Sequence, residues 1–386
     1  MFEHVHAELS GGLSPALIQS IARLSHLFTK ERGGIGARYL DDASLAAGYA
    51  TYFLPVNFLK VQTLLDELPN DWAVAETPLS VLDVGCGPGT ASLAVLDWLI
   101  CENRNPPRRL SVTAIDHSKA ALTEAVRLWK KYRRMTSAGQ ASLVTSVEEV
   151  ENIIRQHPGT AVSAGAPFDL IIVANCLNEL FHECSDPHEP RAAVLERFLS
   201  MLKPDGTLIV LEPALRSTAR ALHQTRDRLL SHNSCTVYSP CLHEQGCPAL
   251  ANVADWCHEE RFWEPPPWIT ELDHALGFIK DALKFSYLLL RKDGRTIVTR
   301  GPETYRVVSE LRVFKGEKRA WLCNEQGRSE VGRVDRKTTS SNAAFDACHR
   351  GALVQIDRLV RKEREGRLSE LRRIAEDSTV KILREV

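Results

Sequence analysis

The sequence predicts an α/β protein built on a mostly parallel, Rossmann-like sheet. From residue 79 onward, short apolar runs alternate with stretches of helical periodicity, and a glycine-rich loop follows the first of those runs. Such alternation requires crossover connections, which place helices on both faces of a parallel sheet. The net charge is only −1 over 386 residues, so whole-chain charge predicts neither a nucleic-acid nor a membrane partner.

The predicted elements follow one another regularly along the chain. Apolar residues at helical spacing fill much of the first 75 residues, with Pro55 interrupting the second helical run. Strands are predicted over 79–84, 110–115, 141–145, 168–174, 207–212 and 285–290. Helices are predicted over 90–100, 119–132, 192–201 and 216–230. Residues 231–268 are predicted to be irregular, and 304–337 to form short strands joined by turns.

This order divides the chain into five parts. They are an N-terminal helical region (1–75), a cofactor-binding Rossmann-like core (76–230), a cysteine-rich insertion (231–283), a part with the last core strands and a small basic β module (284–345), and a charged helical tail (346–386). The tail is predicted to be helical because its Arg and Glu residues suit i,i+4 pairing.

The sequence also bears on membrane association and location. No stretch approaches the roughly 20 apolar residues of a membrane-spanning helix. The first residues lack a basic, then apolar, leader pattern. We therefore expect a cytoplasmic protein without a membrane partner, and the sequence leaves the oligomeric state open.

The glycine loop at 83–90 (DVGCGPGT) predicts a nucleoside-containing cofactor. Gly85 and Gly87 let the backbone approach a ligand closely, and the helix that follows offers free N–H groups to a carboxylate. Asp83 can accept the ammonium group of an amino-acid cofactor. Asp116 ends the next strand, 27 residues after Gly89, where an acid can bind both hydroxyls of a ribose.

The glycine spacing distinguishes between two cofactors. Dinucleotide sites expect G-x-G-x-x-G, whereas this loop has G-x-G-x-G, which favours S-adenosylmethionine over NAD. A Rossmann-like fold that has lost its ligand is the alternative. The predicted cofactor-binding residues are Asp83, Gly85, Gly87, Gly89, Asp116 and Asn175.

The strand 168–174 leads into the segment that is predicted to face the methyl group. Asn178 and Glu179 are the candidate catalytic residues there, and no other feature of the sequence supports either of them. Cys176 is interpreted as a packed structural cysteine, because no Pro-Cys dipeptide marks it as a nucleophile.

Three cysteines, Cys235, Cys241 and Cys247, recur at even spacing in a loop rich in proline and serine. A tetrahedral zinc site or a cubane iron–sulfur site needs a fourth ligand. The candidates are Cys257, Cys323, His243 and His258. The paired C-x2-4-C knuckles of zinc sites are absent, which favours iron–sulfur; three unliganded thiols are the alternative.

Residues 291–337 contain 13 Lys or Arg and 7 Asp or Glu. This local excess of positive charge suits contacts with the phosphates of RNA. A solvated sheet surface is the alternative interpretation.

These segments together resemble the ribosomal small-subunit methyltransferase-like family of bacteria and mitochondria. The resemblance runs from about residue 40 to 335. Its most specific parts are Pro-Cys-x-His-x-x-x-Cys-Pro at 240–248 and Asp-Trp-Cys-His at 255–258; segments 82–90, 174–180, 211–215 and 284–291 also match. It implies a methyltransferase-fold protein that binds the rRNA of the small subunit, often as an assembly factor.

The resemblance also implies a 4Fe–4S cluster held by four cysteines, which map onto Cys235, Cys241, Cys247 and Cys323, with Cys257 as an alternative fourth ligand. The leading hypothesis is thus an S-adenosylmethionine-dependent methyltransferase-like protein of the small ribosomal subunit with such a cluster. The alternatives are a non-catalytic assembly factor and a zinc-stabilised methyltransferase of another substrate.

Overall fold

The computed structural model describes residues 13–30, 39–69, 78–101, 109–136, 140–148, 150, 167–364 and 367–385. The N-terminal region is helical, with α1 over Pro15–Thr29, α2 over Ala43–Gly48 and α3 over Leu54–Leu65. Pro55 falls in the first turn of α3, directly after a π-helical turn over Tyr49–Phe53 that joins α2 to α3. The proline therefore lies where the helical run changes from π to α geometry. Residues 1–12, on which the expectation of no leader rests, lie outside the described residues.

Eight strands form the first sheet. They are β1 (Leu79–Val84), β2 (Leu110–Asp116), β3 (Ala141–Val147), β4 (Phe168–Ala174), β5 (Leu202–Pro213), β6 (Thr236–Ser239), β7 (Glu259–Phe262) and β8 (Ala282–Arg291). Their order is β3-β2-β1-β4-β5-β8-β6, with β7 also paired to β8. Neighbours among β1 to β5 are parallel, and β8 is antiparallel to its partners. This is the arrangement of the class I S-adenosylmethionine-dependent methyltransferase fold, so the predicted fold class is confirmed.

Helices cover both faces of this sheet. They are α4 (Thr90–Cys101), α5 (Lys119–Thr136), α6 (His188–Ser200), α7 (Arg216–Ser231) and α8 (Pro267–Leu276). Successive residues of β4 enter different cores: Leu170 and Ile172 belong to one hydrophobic cluster, and Ile171 and Val173 to the other. Burial on both faces explains why the strand is a continuous apolar run rather than an alternating one.

A second sheet follows along the chain. Its strands are β9 (Thr304–Val307), β10 (Arg312–Phe314), β11 (Glu317–Asn324), β12 (Gly327–Val334), β13 (Leu353–Ile356), β14 (Leu359–Arg364), β15 (Arg367–Ile374) and β16 (Val380–Arg384). The order is β14-β15-β12-β11-β9-β13-β16, with β10 also paired to β11. The short strands predicted over 304–337 are therefore present, and they share a hydrophobic core with the residues that follow them.

The prediction of a helical tail over 346–386 is wrong, because β13 to β16 occupy this stretch. Ile374 and Val380 are buried in the core of the second sheet. The charges that suggested i,i+4 pairs pair between strands instead, as Arg373 does with Glu317. The cysteine-rich stretch is likewise more regular than predicted, because β6 and β7 both join the first sheet through β8.

A buried ionic network joins the N-terminal region and the two sheets. Glu67, which follows α3, lies 3.0 Å from Arg261 on β7 and accepts a hydrogen bond of 2.7 Å from the hydroxyl of Tyr287 on β8. Arg306 on β9 donates to that hydroxyl (2.8 Å) and to Glu259 (3.2 Å). Burial alone would raise the pKa of Glu67, but Arg306 and Arg261 outweigh it and hold that pKa below its ordinary value.

Among the described residues, no helix combines the length and the apolar character that crossing a membrane requires.

Candidate functional site

The glycine loop connects β1 to α4 at the carboxyl end of the parallel strands. Gly85, Gly87 and Gly89 all have positive φ (62°, 52° and 81°), a conformation that L side chains rarely adopt. A Cβ at Gly85 would lie only 2.6 Å from the Sγ of Cys176, just after β4. The loop is therefore packed directly against the end of β4, and position 85 has no room for a side chain.

The two predicted cofactor acids hold this loop in place. The buried Asp83 accepts hydrogen bonds from the backbone N and the Oγ of Ser92 (2.9 and 2.6 Å). Asp116 accepts one from the backbone N of Gly87 and one from that of Ser118, both at 2.8 Å. Burial raises the pKa of Asp83 to about 6, against the opposing effect of the Ser92 hydrogen bonds. Contact of either acid with a cofactor stays a prediction.

The candidate catalytic residues lie in a turn that is held from two sides. Asn175 has a φ of 56°, and a short 3-10 turn follows it over Leu177–Glu179. The backbone N of Asn178 donates to Oε1 of Glu212 on β5 at 3.3 Å. Arg191 on α6 donates to the carbonyl oxygen of Asn178 at 2.8 Å. The turn is therefore fixed to the same strand ends that carry the glycine loop.

Glu212 is a site residue that the sequence analysis did not single out. Its side chain is 1% exposed and lines a small cavity together with Asn178, Thr218 and Thr225. Burial raises the pKa of Glu212 to about 8, although hydrogen bonds from Asn178 and the charge of Arg191 lower it in part. The carboxyl group is therefore mostly protonated at neutral pH. The sequence signal for it is an acid that directly follows the apolar run of β5.

Part of the N-terminal region lies against the glycine loop. Leu40 Cδ1 is 3.7 Å from the position that a Cβ on Gly87 would take. The Oγ of Ser118, two residues after Asp116, donates to Asp41 at 2.7 Å. These contacts place the 3-10 turn Tyr39–Asp41 over the loop.

Two tyrosines of this region face the same strand ends. Burial raises the pKa of Tyr39 well above its usual range, and the carboxylates of Glu179 and Asp116 raise it further. Burial also raises the pKa of Tyr49, again with a contribution from Glu179. Neither residue stands out in the sequence, because helical periodicity does not distinguish a tyrosine near a binding site from one in a core.

Three of the four predicted cluster cysteines lie close enough to interact electrostatically. Burial raises the pKa of the Cys323 thiol on β11 well above its usual range, and Cys257, Cys241 and Cys247 raise it further. The structure thus brings together three predicted ligands and the predicted alternative. Cys235 lies just before β6, and burial raises its pKa to about 12. Within the described ranges, no three His, Cys, Asp or Glu side chains are arranged to hold a single metal ion.

A buried arginine and a histidine frame these thiols. Arg226 is fully buried and donates to the carbonyl oxygens of His243 (2.6 Å) and Gln245 (2.9 Å). Because Nδ1 of His243 lies 3.1 Å from the Gln245 carbonyl, that nitrogen carries the proton and the lone pair of Nε2 faces Cys323 Sγ at 3.8 Å. Burial raises the pKa of Cys241 as well, and Arg226 opposes that rise.

The basic stretch 291–337 does not form one uniform surface. Arg291, Arg306 and Arg333 are buried, and each is ion-paired with a carboxylate of the protein. The predicted basic module is therefore divided between structural arginines and outward-facing ones. The remaining basic residues that are at least partly exposed include Arg312, Lys315, Lys318, Arg319, Arg328, Arg336 and Lys337.

Comparison with solved structures matches this chain to several methyltransferases, all at low similarity. An O-methyltransferase family protein from Burkholderia thailandensis is 15% identical, with 70% of this chain and 64% of that chain aligned and a TM-score of 0.32. The match thus spans under two thirds of that protein. Magnesium protoporphyrin IX methyltransferase (ChlM) from Synechocystis PCC 6803, solved with bound SAM, is 13% identical over 69% of this chain and 94% of its own, at 0.33. Mitomycin 7-O-methyltransferase MmcR is 14% identical over 72% and 68%, at 0.36.

Sequence comparison gives a family. No curated protein has a significantly similar sequence. The sequence profile described as mitochondrial small ribosomal subunit Rsm22 matches residues 43–350, which is well over half of the chain. The matched range includes the glycine loop, the turn after β4 and all four predicted cluster cysteines. The chain therefore belongs to the Rsm22 family.

Proposed function

We propose that this chain is an S-adenosylmethionine-dependent methyltransferase-like protein that acts on the small ribosomal subunit and contacts its rRNA. The observation that carries the proposal is a class I fold with an intact glycine loop, in a chain whose family is described as a protein of the small ribosomal subunit. All three glycines of the loop keep positive φ, which is the conformation that a backbone cradle for a ligand uses.

The residues at the strand ends fit the cofactor in chemical type. Asp116 is fixed at the end of β2, where a carboxylate can also accept hydrogen bonds from ribose hydroxyls. The start of α4 offers backbone N–H groups, and Asp83 and Asn175 offer oxygen acceptors to an ammonium group. The bound cofactor would supply an electrophilic methyl group. The chain would contribute mainly orientation, with Asn178 and Glu179 as the candidate groups beside the methyl.

We further propose a 4Fe–4S cluster on Cys235, Cys241, Cys247 and Cys323, with Cys257 as the alternative ligand. Thiolates are the usual ligands of such clusters, and the thiol of Cys323 lies close enough to those of Cys241, Cys247 and Cys257 for them to raise its pKa. The group would connect the loop after β6 to β11 and thereby fix the two sheets to each other. Zinc is the alternative metal for the same sulfur donors.

The experiment combines sedimentation with methyl transfer. The purified chain is incubated with small ribosomal subunits and S-adenosylmethionine carrying a tritiated methyl group, and the mixture is separated on a sucrose gradient. We expect the chain to co-sediment with the subunit and tritium to appear in its rRNA. An Asp116→Asn variant should co-sediment equally but transfer less tritium. Absence of the chain from the subunit fractions would contradict the proposal.

The second candidate function is that of a non-catalytic assembly factor, for which the cofactor is only a structural ligand. The same gradient distinguishes it: the chain would co-sediment, and no tritium would enter the rRNA at any enzyme concentration. One observation favours keeping this candidate. The turn that carries the candidate catalytic residues is held by structural contacts, because the backbone N of Asn178 donates to Glu212 and its carbonyl oxygen accepts from Arg191.

A further inference from the structure

One face of the second sheet combines arginines with aromatic rings. Strand pairing places Arg312 of β10 opposite Arg319 of β11, and Trp321 of β11 opposite Glu330 of β12. Residues that alternate along a strand share a face, so Arg319, Trp321 and Cys323 point the same way. Gly332 of β12 pairs with Arg373 of β15 and extends the face by one strand. We call the set Arg312, Phe314, Arg319, Trp321, Arg328 and Arg373 the arginine–aromatic face.

Guanidinium groups lie over the rings of this face. The Cζ of Arg319 is 4.9 Å and that of Arg312 is 5.6 Å from the centre of the Phe314 ring. The Cζ of Arg328 is 4.9 Å from the centre of the Trp321 ring. Both rings therefore make cation–π contacts with arginines, and both contacts lie on the same side of the sheet.

Acidic neighbours orient the arginines without removing their remaining donors. Glu317 pairs with both Arg319 and Arg373, Glu330 pairs with Arg312 and lies 3.7 Å from Arg319, and Asp255 pairs with Arg328. Each guanidinium has five N–H donors, so the one or two carboxylate contacts of each arginine leave some of them for a ligand. The acids thus fix the planes of the side chains, as a binding surface of flat groups requires.

The outer end of this face is open to solvent. Phe314 is 43% exposed, and all three residues of β10 are exposed. An exposed phenylalanine between two arginines contributes little to the hydrophobic core of the sheet, whose members are Val331, Phe345 and others on the opposite side. The exposed ring is therefore available for contacts with a partner.

We infer that the arginine–aromatic face binds a single-stranded RNA segment, whose bases stack on the rings of Phe314 and Trp321 while the arginines contact its phosphates. This inference rests on the proposed function, which supplies the RNA. Charge and ring chemistry together specify the partner: arginine complements phosphate, and aromatic rings stack on unpaired bases. A duplex hides its bases within the stack and offers only backbone to such a surface, so the face favours unpaired over paired RNA.

The test measures the affinity of the full chain for RNA by fluorescence anisotropy. The probes are a fluorescein-labelled 12-nucleotide single strand of mixed sequence and the corresponding duplex. We expect tighter binding of the single strand, and a loss of about tenfold for Phe314→Ala and for Trp321→Ala, which is within the range of base stacking on one ring. Trp321→Phe keeps a ring and should lose less than Trp321→Ala.

The matched control is Phe262→Ala, because Phe262 is 84% exposed but lies on β7 of the first sheet. It should leave RNA affinity unchanged, and thermal unfolding should show that every variant is folded. Equal affinity of the wild type and both alanine variants would overturn the inference, as would preference for the duplex. If the chain still co-sediments with the small subunit in those cases, this inference fails while the proposed function stands.

Discussion

Gly85 and Cys176 are in such close contact that a Cβ on the glycine would lie 2.6 Å from the cysteine Sγ and 2.8 Å from its Cβ. The contact joins the glycine loop to the residue after β4, so it connects the predicted cofactor cradle to the predicted methyl side of the site. It also shows why Cys176 is best understood as a packing residue: burial raises the pKa of its thiol well above the usual range.

Replacement of Gly85 by alanine should be strongly destabilising. The positive φ alone costs an L residue about 1–2 kcal/mol, and the clash with Cys176 adds to that. We expect Gly85→Ala to lower the free energy of unfolding by more than 2 kcal/mol in a urea titration. The control is Gly301→Ala, where a Cβ meets no atom within 4 Å. Equal stability of the two variants would contradict this packing.

Glu212 should make stability depend on pH. Its pKa in the folded protein is about 8, above its ordinary value of 4.5, so the folded state holds a proton that the unfolded state releases. The contribution is fully present below about pH 4.5 and is lost as the pH rises through 8. Glu212→Gln keeps the shape and cannot ionise. Its melting temperature relative to wild type should therefore rise between pH 5 and pH 8.5; parallel curves would show that the carboxyl group is not buried in its neutral form.

Two glycines with nearly equal φ, Gly351 and Gly327, differ in what surrounds them, and only Gly351 lies against the ionic network between the sheets. A Cβ on Gly351 would lie 1.8 Å from Nη1 of Arg261, which the ionic network with Glu67 and Glu259 holds in place. Gly351→Ala should therefore destabilise the protein by several kcal/mol. Gly327 has almost the same φ (95° against 92°) and no atom within 4 Å of its Cβ position, so Gly327→Ala should cost only about 1–2 kcal/mol. Chemical denaturation of both variants checks the difference, which should vanish if the network is not formed.

The cluster proposal predicts a coloured protein. Anaerobic purification should give a broad absorption near 400 nm, with about four iron and four sulfide per chain. Cys323→Ser should lose most of that iron, whereas Cys184→Ser, at an exposed cysteine away from the group, should retain it. Comparison of Cys235→Ser with Cys257→Ser identifies the remaining ligand. Stoichiometric zinc in a colourless wild type would replace the iron–sulfur proposal by the zinc alternative.

Local patterns were sufficient for much of the first sheet. The strand predictions 79–84 and 168–174 coincide with β1 and β4, because a buried parallel strand is an uninterrupted apolar run. The tail could not be predicted in this way. Arg and Glu at close spacing suit a helix and an exposed strand pair equally well, and only the burial of Ile374 and Val380 in a distant core decides between them.

In the candidate site, too, only the residues that adjoin strand ends in the sequence could be predicted. The glycine loop and Asp116 are close in sequence to the strands that position them, so their pattern was visible. Glu212 and Tyr39 were not, because each acquires its role through contacts with residues far away in the chain. The approach of Cys257 to Cys323 likewise depends on how the second sheet packs, which no spacing rule encodes.

Whether the glycine loop of this chain binds S-adenosylmethionine is measured most directly by calorimetric titration of the full chain with S-adenosylhomocysteine. We expect saturable binding of one molecule per chain, weakened at least tenfold by Asp116→Ala and unaffected by Gly301→Ala. A wild-type protein that is folded but gives no binding heat and no thermal stabilisation at millimolar ligand would contradict it.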